Sequence, residues 1–339
     1  MKRCVIGYLV LVLISEACSR NSVQEVVVYT SVDDVFARPI TERFTQDTGI
    51  TVRLVPDTEE TKSTGLLNRL IAEKERPQAD VFWSGDPVRA AILKAKGVST
   101  PYHSLQAEGL PPQFSDPDGH WTGFSARARV LIYSRNLVPE GQEPISVMDL
   151  LAPRFKGKTC IANPLFGTTS MHAAALFAVL GEDNAKTFFD GLSANDGKML
   201  SSNGEVRRRV AAGEFAVGIT DTDDVNVARL EGKPVGMVYP DANGMGTLII
   251  PNCAVLIASG PNPDAGRRFV DYLLRPETEK ALAESEAAQI PLRPGVSVPE
   301  AVPSIARLKP MEVNYATLAS LLETLSSGYL QEWVDRQSR

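Results

Sequence analysis

The sequence predicts an α/β protein built from two packed units, and three observations support this prediction. The first hundred residues alternate between short β-branched runs and amphipathic helical stretches, and the same alternation restarts after residue 123. The chain has 339 residues, which is enough for two domains. Hydrophobic residues make up 43% and charged residues 22% of the chain, as expected for a packed globular protein.

The first unit is predicted to contain a parallel sheet. Its strands are expected at 25–29, 50–55 and 79–83, and the helices that follow them at 35–48, 64–74 and 88–96. Strands that alternate with helices form a parallel sheet with helices on both faces. Ligands of such sheets bind beyond the carboxyl ends of the strands, so the loops after the three strands are candidate ligand contacts.

The second unit repeats this kind of pattern, and the chain then ends in a helical tail. Further strands are predicted at 123–133, 158–161, 215–219 and 247–258. Further helices are predicted at 147–151, 167–180, 185–192, 204–212, 265–274 and 277–286, and a helical tail runs from Glu312 to about Trp333.

The first residues of the chain have the layout of an export signal. Lys2 and Arg3 precede an apolar run at 5–14, which is too short for a permanent membrane span. We expect residues 1–17 to be a signal peptide that directs the protein to the periplasm or cell surface. Cys18 then resembles the lipidated first residue of a lipoprotein; the alternative is simple cleavage and a soluble product.

Cysteine usage and net charge exclude several other classes of protein. Cys160 and Cys253 both lie in apolar runs, which favours two free buried thiols over a disulfide. Neither a CxxC motif nor a His/Cys cluster supports structural zinc. The net charge is −6 and the only basic run, 207–209, is predicted to be a solvated helix face, so no nucleic-acid partner is expected.

An ordered set of motifs runs through the chain: VVVYTSVDD (26–34), GLLNRLIAEK (65–74), QADVFWSGDP (78–87), FKGKTCIANP (155–164), VAAGEFAVGITDTDD (210–224) and AESEAAQIPLRPG (283–295). Together these motifs resemble the periplasmic binding proteins that include ferric-ion, thiamine and polyamine receptors, and they resemble the ferric-ion group most closely. The resemblance implies a type II two-lobed fold, each lobe a mixed sheet flanked by helices, with crossover strands near 123–133 and 247–258 as the hinge. Lobe 1 is expected at 24–122 and 250–296, lobe 2 at 123–249, and a C-terminal segment at 297–339 packs on the lobes, mainly lobe 2.

The resemblance also implies how such a protein works. It implies a monomeric receptor without enzymatic activity that delivers a solute to an ABC permease and needs no cofactor. One departure concerns the metal site, because ferric receptors usually bind iron through phenolates that include an adjacent tyrosine pair. The matching segment here, 219–224, contains no tyrosine. Tyr29 is a candidate phenolate, and the alternative is that it packs in the core.

Acidic and hydroxyl side chains at the strand ends predict a cation site. The candidate contacts are Tyr29, Thr30, Ser31, Asp33, Asp34, Glu59, Glu60, Ser84, Asp221, Thr222 and Asp223. Asp33, Glu59, Asp223 and Asp224 are the candidate metal ligands, since carboxylates gathered in a cleft favour a bound cation and suit hard metals. The alternative is that these carboxylates cap helix N-termini.

A second set of residues predicts an anion contact in the same cleft. Gly167, Thr168 and Thr169 open a helix, Arg127 and Arg129 lie on one face of a crossover strand, and Asn203 begins another helix. These residues could complete the shell of a metal through a synergistic anion, or they could act only as helix caps.

Three functions therefore remain open. The first is a receptor for ferric iron or a related cation, and the second is a receptor for an organic solute such as a phosphonate, sugar phosphate, thiamine or polyamine. A hydrolase is the third and weakest, because His103, His120 and His172 lie in no nucleophile or metalloprotease motif.

Overall fold

A computed structural model describes residues 24–57 and 64–338 of the protein. The strands are β1 (Glu25–Thr30), β2 (Thr51–Pro56), β3 (Val81–Ser84), β4 (Thr122–Ser134), β5 (Thr159–Ala162), β6 (Lys198–Leu200), β7 (Val217–Asp221), β8 (Val235–Val238) and β9 (Ile249–Leu256). The helices are α1 (Asp34–Thr48), α2 (Thr64–Ala72), α3 (Pro87–Ala95), α4 (Gly167–Leu180), α5 (Glu182–Ala194), α6 (Asn203–Ala211), α7 (Thr222–Leu230), α8 (Pro263–Leu273), α9 (Pro276–Glu284), α10 (Tyr315–Ser327) and α11 (Tyr329–Gln337).

The strands form one sheet in the order β2-β1-β3-β9-β4-β7-β5-β6, and β8 pairs with the end of β4. The first three strands are parallel to one another, which confirms the prediction from their alternation with helices. Strands β5, β6 and β7 are also mutually parallel. Carboxyl ends of parallel strands lie at one edge of the sheet, so each group of strands presents its loops together.

Strands β4 and β9 join the two groups of strands. The first part of β4 pairs with β9, whereas its last part pairs with β7 and β8. Strand β9 pairs in turn with β3. Both strands lie where crossover strands were predicted, and the residue limits assigned to the two lobes remain a prediction.

A bulge interrupts the pairing of β4 with β9 between Phe124 and Ala126. Ser125 has a φ of 35° there, a left-handed conformation that is uncommon for serine. Its backbone is held by two buried side chains: its N–H donates to Glu279 (2.9 Å) and its carbonyl accepts from Asn252 (2.6 Å). The bulge is therefore a fixed feature of the strand, and it adds one residue to β4.

Apolar side chains form two clusters on the sheet. One cluster packs α1, α8 and α9 onto β1 and β3, with Phe44 between Phe269 and Tyr272. The other covers the opposite face of β1 and β3 and extends over β4, β5 and β7 to α4, α5, α10 and α11. Helix α10 packs against both α3 and α4. No helix in the described ranges is long and apolar enough to cross a membrane.

Phe44→Ala is expected to destabilise the protein by about 3–5 kcal/mol, because the fully buried ring leaves a cavity beside two aromatic partners. Urea unfolding measures the change. Leu105→Ala is the control: Leu105 is 91% exposed, and its truncation should change the free energy of unfolding by no more than about 0.5 kcal/mol. Equal effects of both substitutions would contradict this assignment of the core.

Candidate functional site

A cleft of about 550 Å³ lies where the loops of the two groups of strands meet. Its wall on the β1 side is formed by Ser31, Asp33, Val35 and Phe36. The opposite side and the floor are formed by the ends of β5 and β7, by β4, α4, α6 and α7, by the loops before α4 and α6, and by the loop after α9. The residues are Arg127, Ala162, Asn163, Phe166, Gly167, Thr168, Thr169, Ser201, Ser202, Asn203, Gly204, Arg207, Arg208, Asp221, Asp223, Asp224, Val227 and Glu286.

The structure brings most of the predicted contacts together in this cleft. Ser31, Asp33, Arg127, Gly167, Thr168, Thr169, Asn203, Asp221, Asp223 and Asp224 all line it. Glu59 and Glu60 lie outside the described residues, and so does Cys18. The acidic strand-end loops 29–34 and 220–224 therefore face a common space, as expected for two α/β halves that face one another.

Tyr29 is a packing residue and lies away from the cleft. Its hydroxyl donates to Glu73 (3.1 Å), and the Arg69 guanidinium lies 4.6 Å from the ring centre. Burial, reinforced by the hydrogen bond to Glu73, raises the pKa of Tyr29 to about 12, so ionisation to a phenolate is disfavoured. The expectation that Tyr29 supplies a phenolate ligand is corrected accordingly.

Four other predicted contacts are occupied by local hydrogen bonds. Thr30 donates to Trp83 O (2.9 Å), and Ser84 donates to Asp86 O (2.7 Å). Asp34 is half-buried and paired with Arg38 at 2.6 Å. Thr222 accepts from Ala128 N (3.3 Å). None of the four lines the cleft, because each hydroxyl or carboxylate satisfies a neighbouring group of its own turn, helix or sheet.

A buried ion-pair network forms the floor of the cleft. Arg129 donates to Asp221 (2.7 Å) and to Thr168 (3.0 Å), and Thr168 donates to the other oxygen of Asp221 (2.7 Å). Asn203 donates to Thr168 (2.8 Å) and accepts from Thr169 (3.0 Å). These bonds fix the first turns of α4 and α6 against β4 and β7. The hydroxyls of Thr168 and Thr169 are thus engaged within the protein.

The carboxylates of the floor differ in how well their charges are compensated. Burial raises the pKa of Asp221, but Arg129 and Arg127 outweigh burial and hold it below its usual value. For Asp223 burial dominates; Arg127 opposes it, the neighbouring carboxylates reinforce it, and the pKa rises to about 7. Asp224 accepts from Thr220 at 2.5 Å. Asp223 therefore gains more from a bound cation than Asp221 does.

Three carboxylates form a cluster of the kind that holds a metal ion. Ligand oxygens of Asp221, Asp223 and Asp224 all lie within 4.8 Å of one another. Asp221 and Asp223 are buried and Asp224 is half-buried, so their charges are poorly screened by water. Oxygen donors in this arrangement suit hard cations.

Helix α4 starts in the cleft without a side-chain cap. Phe166 occupies the N-cap position and its side chain offers no hydrogen-bond acceptor, so the backbone N–H groups of the first turn have no capping side chain. Gly167 begins the helix with a φ of 54°, which glycine adopts without strain. The positive end of the helix dipole thus opens into the cleft and favours an anion there.

The basic run 207–209, predicted to be a solvated helix face, is divided between the cleft and the solvent. Arg207 and Arg208 line the cleft, although Arg208 is exposed, and Arg209 forms surface ion pairs with Glu205 and Glu214. The Nε of Arg207 is buried and has no hydrogen-bond partner. A helical period of 3.6 residues puts consecutive residues on different faces, so one run supplies both a cleft contact and a solvated pair.

The fold and its polar cleft define a solute-binding protein of the two-lobed periplasmic type. The family model for bacterial extracellular solute-binding proteins matches residues 40–309, and the chain belongs to this family.

Similar proteins of known name support the same class. Iron uptake protein A1 of Synechocystis sp. is 26% identical over 296 residues, covering 84% of this chain and 81% of the relative. The major ferric iron-binding protein of Neisseria meningitidis is 26% identical over 305 residues, covering 87% and 89%.

Solved structures confirm the predicted type II fold. Iron-bound HitA from Pseudomonas aeruginosa superposes with a TM-score of 0.80 at 24% identity, covering 90% of this chain and 98% of that chain. A Trichodesmium protein (IdiA, FutA) in complex with iron and citrate gives a TM-score of 0.75 at 25% identity, covering 92% and 99%.

The raised pKa of Asp223 predicts a pH-dependent stability of the ligand-free protein. The contribution of Asp223 is fully present below the ordinary pKa of 3.8 and is lost as the pH rises to about 7, because the folded state keeps a proton that the unfolded chain releases. The loss should be at most about 1.4 kcal/mol per pH unit. Urea unfolding between these pH values should therefore show that wild type loses stability relative to Asp223→Asn as the pH rises.

The difference in stability between wild type and Asp223→Asn excludes the contributions of other groups that titrate in this pH range. His172 has the opposite effect: burial, followed by the charge of Arg129, lowers its pKa to about 3, so its contribution increases as the pH rises toward 6.5. This contribution is present in both proteins and cancels in the difference. Identical pH profiles of wild type and Asp223→Asn would contradict the raised pKa of Asp223.

Proposed function

We propose that the protein is a receptor that captures a metal cation, preferentially ferric iron, on the carboxylates of its cleft together with an anion. The observation that carries this proposal is the convergence of Asp221, Asp223 and Asp224 within 4.8 Å at the floor of the cleft. The names of the relatives agree with it, since iron uptake and ferric iron-binding proteins are among them.

The charges of the cleft support a cation at Asp223 and Asp224. Asp221 is already bonded to Arg129 and Thr168 through both of its oxygens, so it contributes mainly negative potential. Asp223 and Asp224 lie beside it, and Asp33 faces them from the other wall. A trivalent or divalent cation would relieve the repulsion among these carboxylates, which burial makes costly.

A synergistic anion fits the neighbouring wall. The uncapped first turn of α4 offers backbone N–H donors, and Arg207 brings a guanidinium with an unpartnered Nε to the same cleft. A carboxylate or phosphate bound there could also donate oxygen ligands to the metal. The related structure that holds both iron and citrate is consistent with such a pair.

The ligand set proposed here differs from a phenolate site. No tyrosine occurs among the described residues that line the cleft. A ferric complex held by carboxylates and an anion should therefore lack the visible charge-transfer band of an iron tyrosinate. Ferric citrate, Ca²⁺ and Mn²⁺ titrated calorimetrically into chelator-stripped protein test for the cation. Binding of none of them would reject a metal receptor.

The walls of the cleft favour a second candidate, an organic solute. Val35, Phe36, Phe166 and Val227 line it alongside the charged groups, and about 550 Å³ exceeds the space that a single ion needs. A molecule with a cationic group and a phosphonate or phosphate would satisfy the carboxylates and the helix terminus at once. Thiamine, a polyamine, a phosphonate and a sugar phosphate belong in the same calorimetric series, and tight binding of one of these without metal would establish this candidate.

The route of the protein and its partner are part of the proposal. We infer export by the leader at 1–17, anchoring through lipidated Cys18, and delivery of the solute by a monomer to an ABC permease. Membership of an extracellular solute-binding family supports export, and a solute-binding family has no need of catalytic groups. Metabolic labelling with a fatty acid in wild type and Cys18→Ala distinguishes a lipoprotein from a soluble product.

Asp223→Ala combined with Asp224→Ala should weaken cation binding at least tenfold, roughly 1.4 kcal/mol, because both carboxylates face the bound ion. Calorimetry with ferric citrate and Mn²⁺ measures the change. Asp34→Ala is the matched control, since this aspartate also opens a helix but pairs with Arg38 outside the cleft. An unchanged affinity in the double variant would remove the pair from the site.

Arg207→Gln should weaken binding of the anion, seen as a smaller gain in metal affinity when citrate is added, by roughly five- to tenfold. Arg209→Gln, two residues along α6, removes the same charge from a surface ion pair and should leave the citrate effect intact. Equal citrate effects in the two variants would place the anion elsewhere.

A further inference from the structure

Arg127 places a fixed positive charge beside the carboxylate cluster. Its side chain projects from β4 into the cleft and is largely buried, with the residue 9% exposed. Its Nη1 lies 3.5 Å from an oxygen of Asp223 and 3.8 Å from one of Asp221. Arg129 already neutralises Asp221 at closer range, 2.7 Å. The positive charge of Arg127 therefore acts mainly on Asp223.

The guanidinium is held in this place from the other side of the cleft. Its Nη2 donates to the carbonyl of Gly85 at 2.5 Å, in the turn between β3 and α3. A Cβ at position 85 would lie 3.0 Å from this nitrogen, so glycine allows the close approach. The turn itself is fixed, because Gly85 N donates to Ser31 at 2.8 Å. Arg127 is thus positioned between the β3–α3 turn and Asp223 and is not a mobile surface charge.

A cation that binds to Asp223 in the cleft would lie close to the guanidinium of Arg127. The contact between Arg127 and Asp223 is long for a charge-assisted hydrogen bond, so the attraction is mainly electrostatic and can be exchanged for a closer metal–oxygen bond. A cation at Asp223 would stand next to Arg127, and the two like charges would repel. A solute that brings its own anion avoids that repulsion, because the anion can lie against the guanidinium.

We propose that Arg127 is a specificity-determining residue that acts as a resident counter-cation: it weakens binding of a bare cation at Asp223 and favours a cation that arrives with an anion. This inference rests on the proposed function, because it concerns the same carboxylates. It explains why a cluster of acidic side chains and a guanidinium are built into one floor. It also assigns to one side chain the preference for a complex over a free ion.

The test compares Mn²⁺ binding with and without citrate in wild type and Arg127→Gln, by calorimetry at about pH 8, where protons compete least for carboxylates. In Arg127→Gln the affinity for Mn²⁺ alone should rise roughly tenfold or more, because a like charge is removed from the site. The gain in affinity on adding citrate should shrink by a similar factor. Arg127→Gln should therefore change the affinity for Mn²⁺ with citrate less than it changes the affinity for Mn²⁺ alone.

Arg209→Gln is the matched control. Arg209 does not line the cleft, and it forms surface ion pairs with Glu205 and Glu214. Its removal changes the net charge equally, and Mn²⁺ affinity should stay within about twofold, since exposed charges are screened. An equal rise in both variants would overturn a specific role for Arg127.

A second variant keeps the test decisive if Arg127→Gln fails to fold. Arg127→Lys retains a positive charge for the buried aspartates, but an ammonium on a shorter side chain reaches Gly85 and Asp223 together less well. Its Mn²⁺ affinity should rise by a smaller factor, in the same direction. If wild type binds Mn²⁺ and the variants bind it with unchanged or weaker affinity, the proposed role of Arg127 is overturned, whereas the proposed function of the cleft is not. Absence of any cation binding in wild type rejects the proposed function itself.

Discussion

The antiparallel pairing of β4 with β9 is the constraint on which the rest of the structure depends. Along its 13 residues β4 changes neighbours, pairing first with β9 and then with β7 and β8. One strand therefore belongs to both groups of strands, and the residues at its middle lie at the junction. Arg127 and Arg129 occupy that position, so the pairing that joins the two halves also places the positive charges of the cleft.

The network around these arginines determines which groups remain for a ligand. Arg129, Thr168, Thr169 and Asn203 satisfy one another and Asp221, and they fix the helix termini of α4 and α6. Asp223 is buried and is compensated at longer range, by Arg127 at 3.5 Å. A floor whose helix termini are fixed by internal bonds and whose Asp223 is only partly compensated can hold a cation and release it, because few internal bonds need to be broken when the cation leaves.

Much of this arrangement could be predicted from the sequence, since it follows from local patterns. Continuous β-branched or apolar runs located β1 and β3, and alternation located the start of β4. The alternation of strands with helices gave the parallel order of the first strands and a common edge for the loops that follow them. The shared face of Arg127 and Arg129 followed from strand alternation, and both reach Asp221.

The errors arose where tertiary partners decide the role of a side chain. The sequence around Tyr29 is compatible with a side chain that faces the cleft and with one that contacts Glu73. Only the packing of α2 against β1 shows that Tyr29 contacts Glu73. Likewise Arg207 could not be told from Arg209 without knowing which face of α6 meets the cleft. Strands β6 and β8 were missed because each is only three or four residues long.

The bulge at Ser125 has a consequence for how such receptors can change their shape. Phe124 and Ala126 face Asn252 and Pro251, which are consecutive in β9, so Ser125 has no partner in this ladder. Deletion of Ser125 with the flanking pairing retained would leave Arg127 opposite Ile250 and Arg129 opposite Asp221, and both guanidiniums on their present side of the sheet. A bulge bends its strand and increases the local twist, so the additional residue sets the angle between the two ends of β4. The width of the ligand chamber can therefore be altered through the backbone while the charges that line it stay the same.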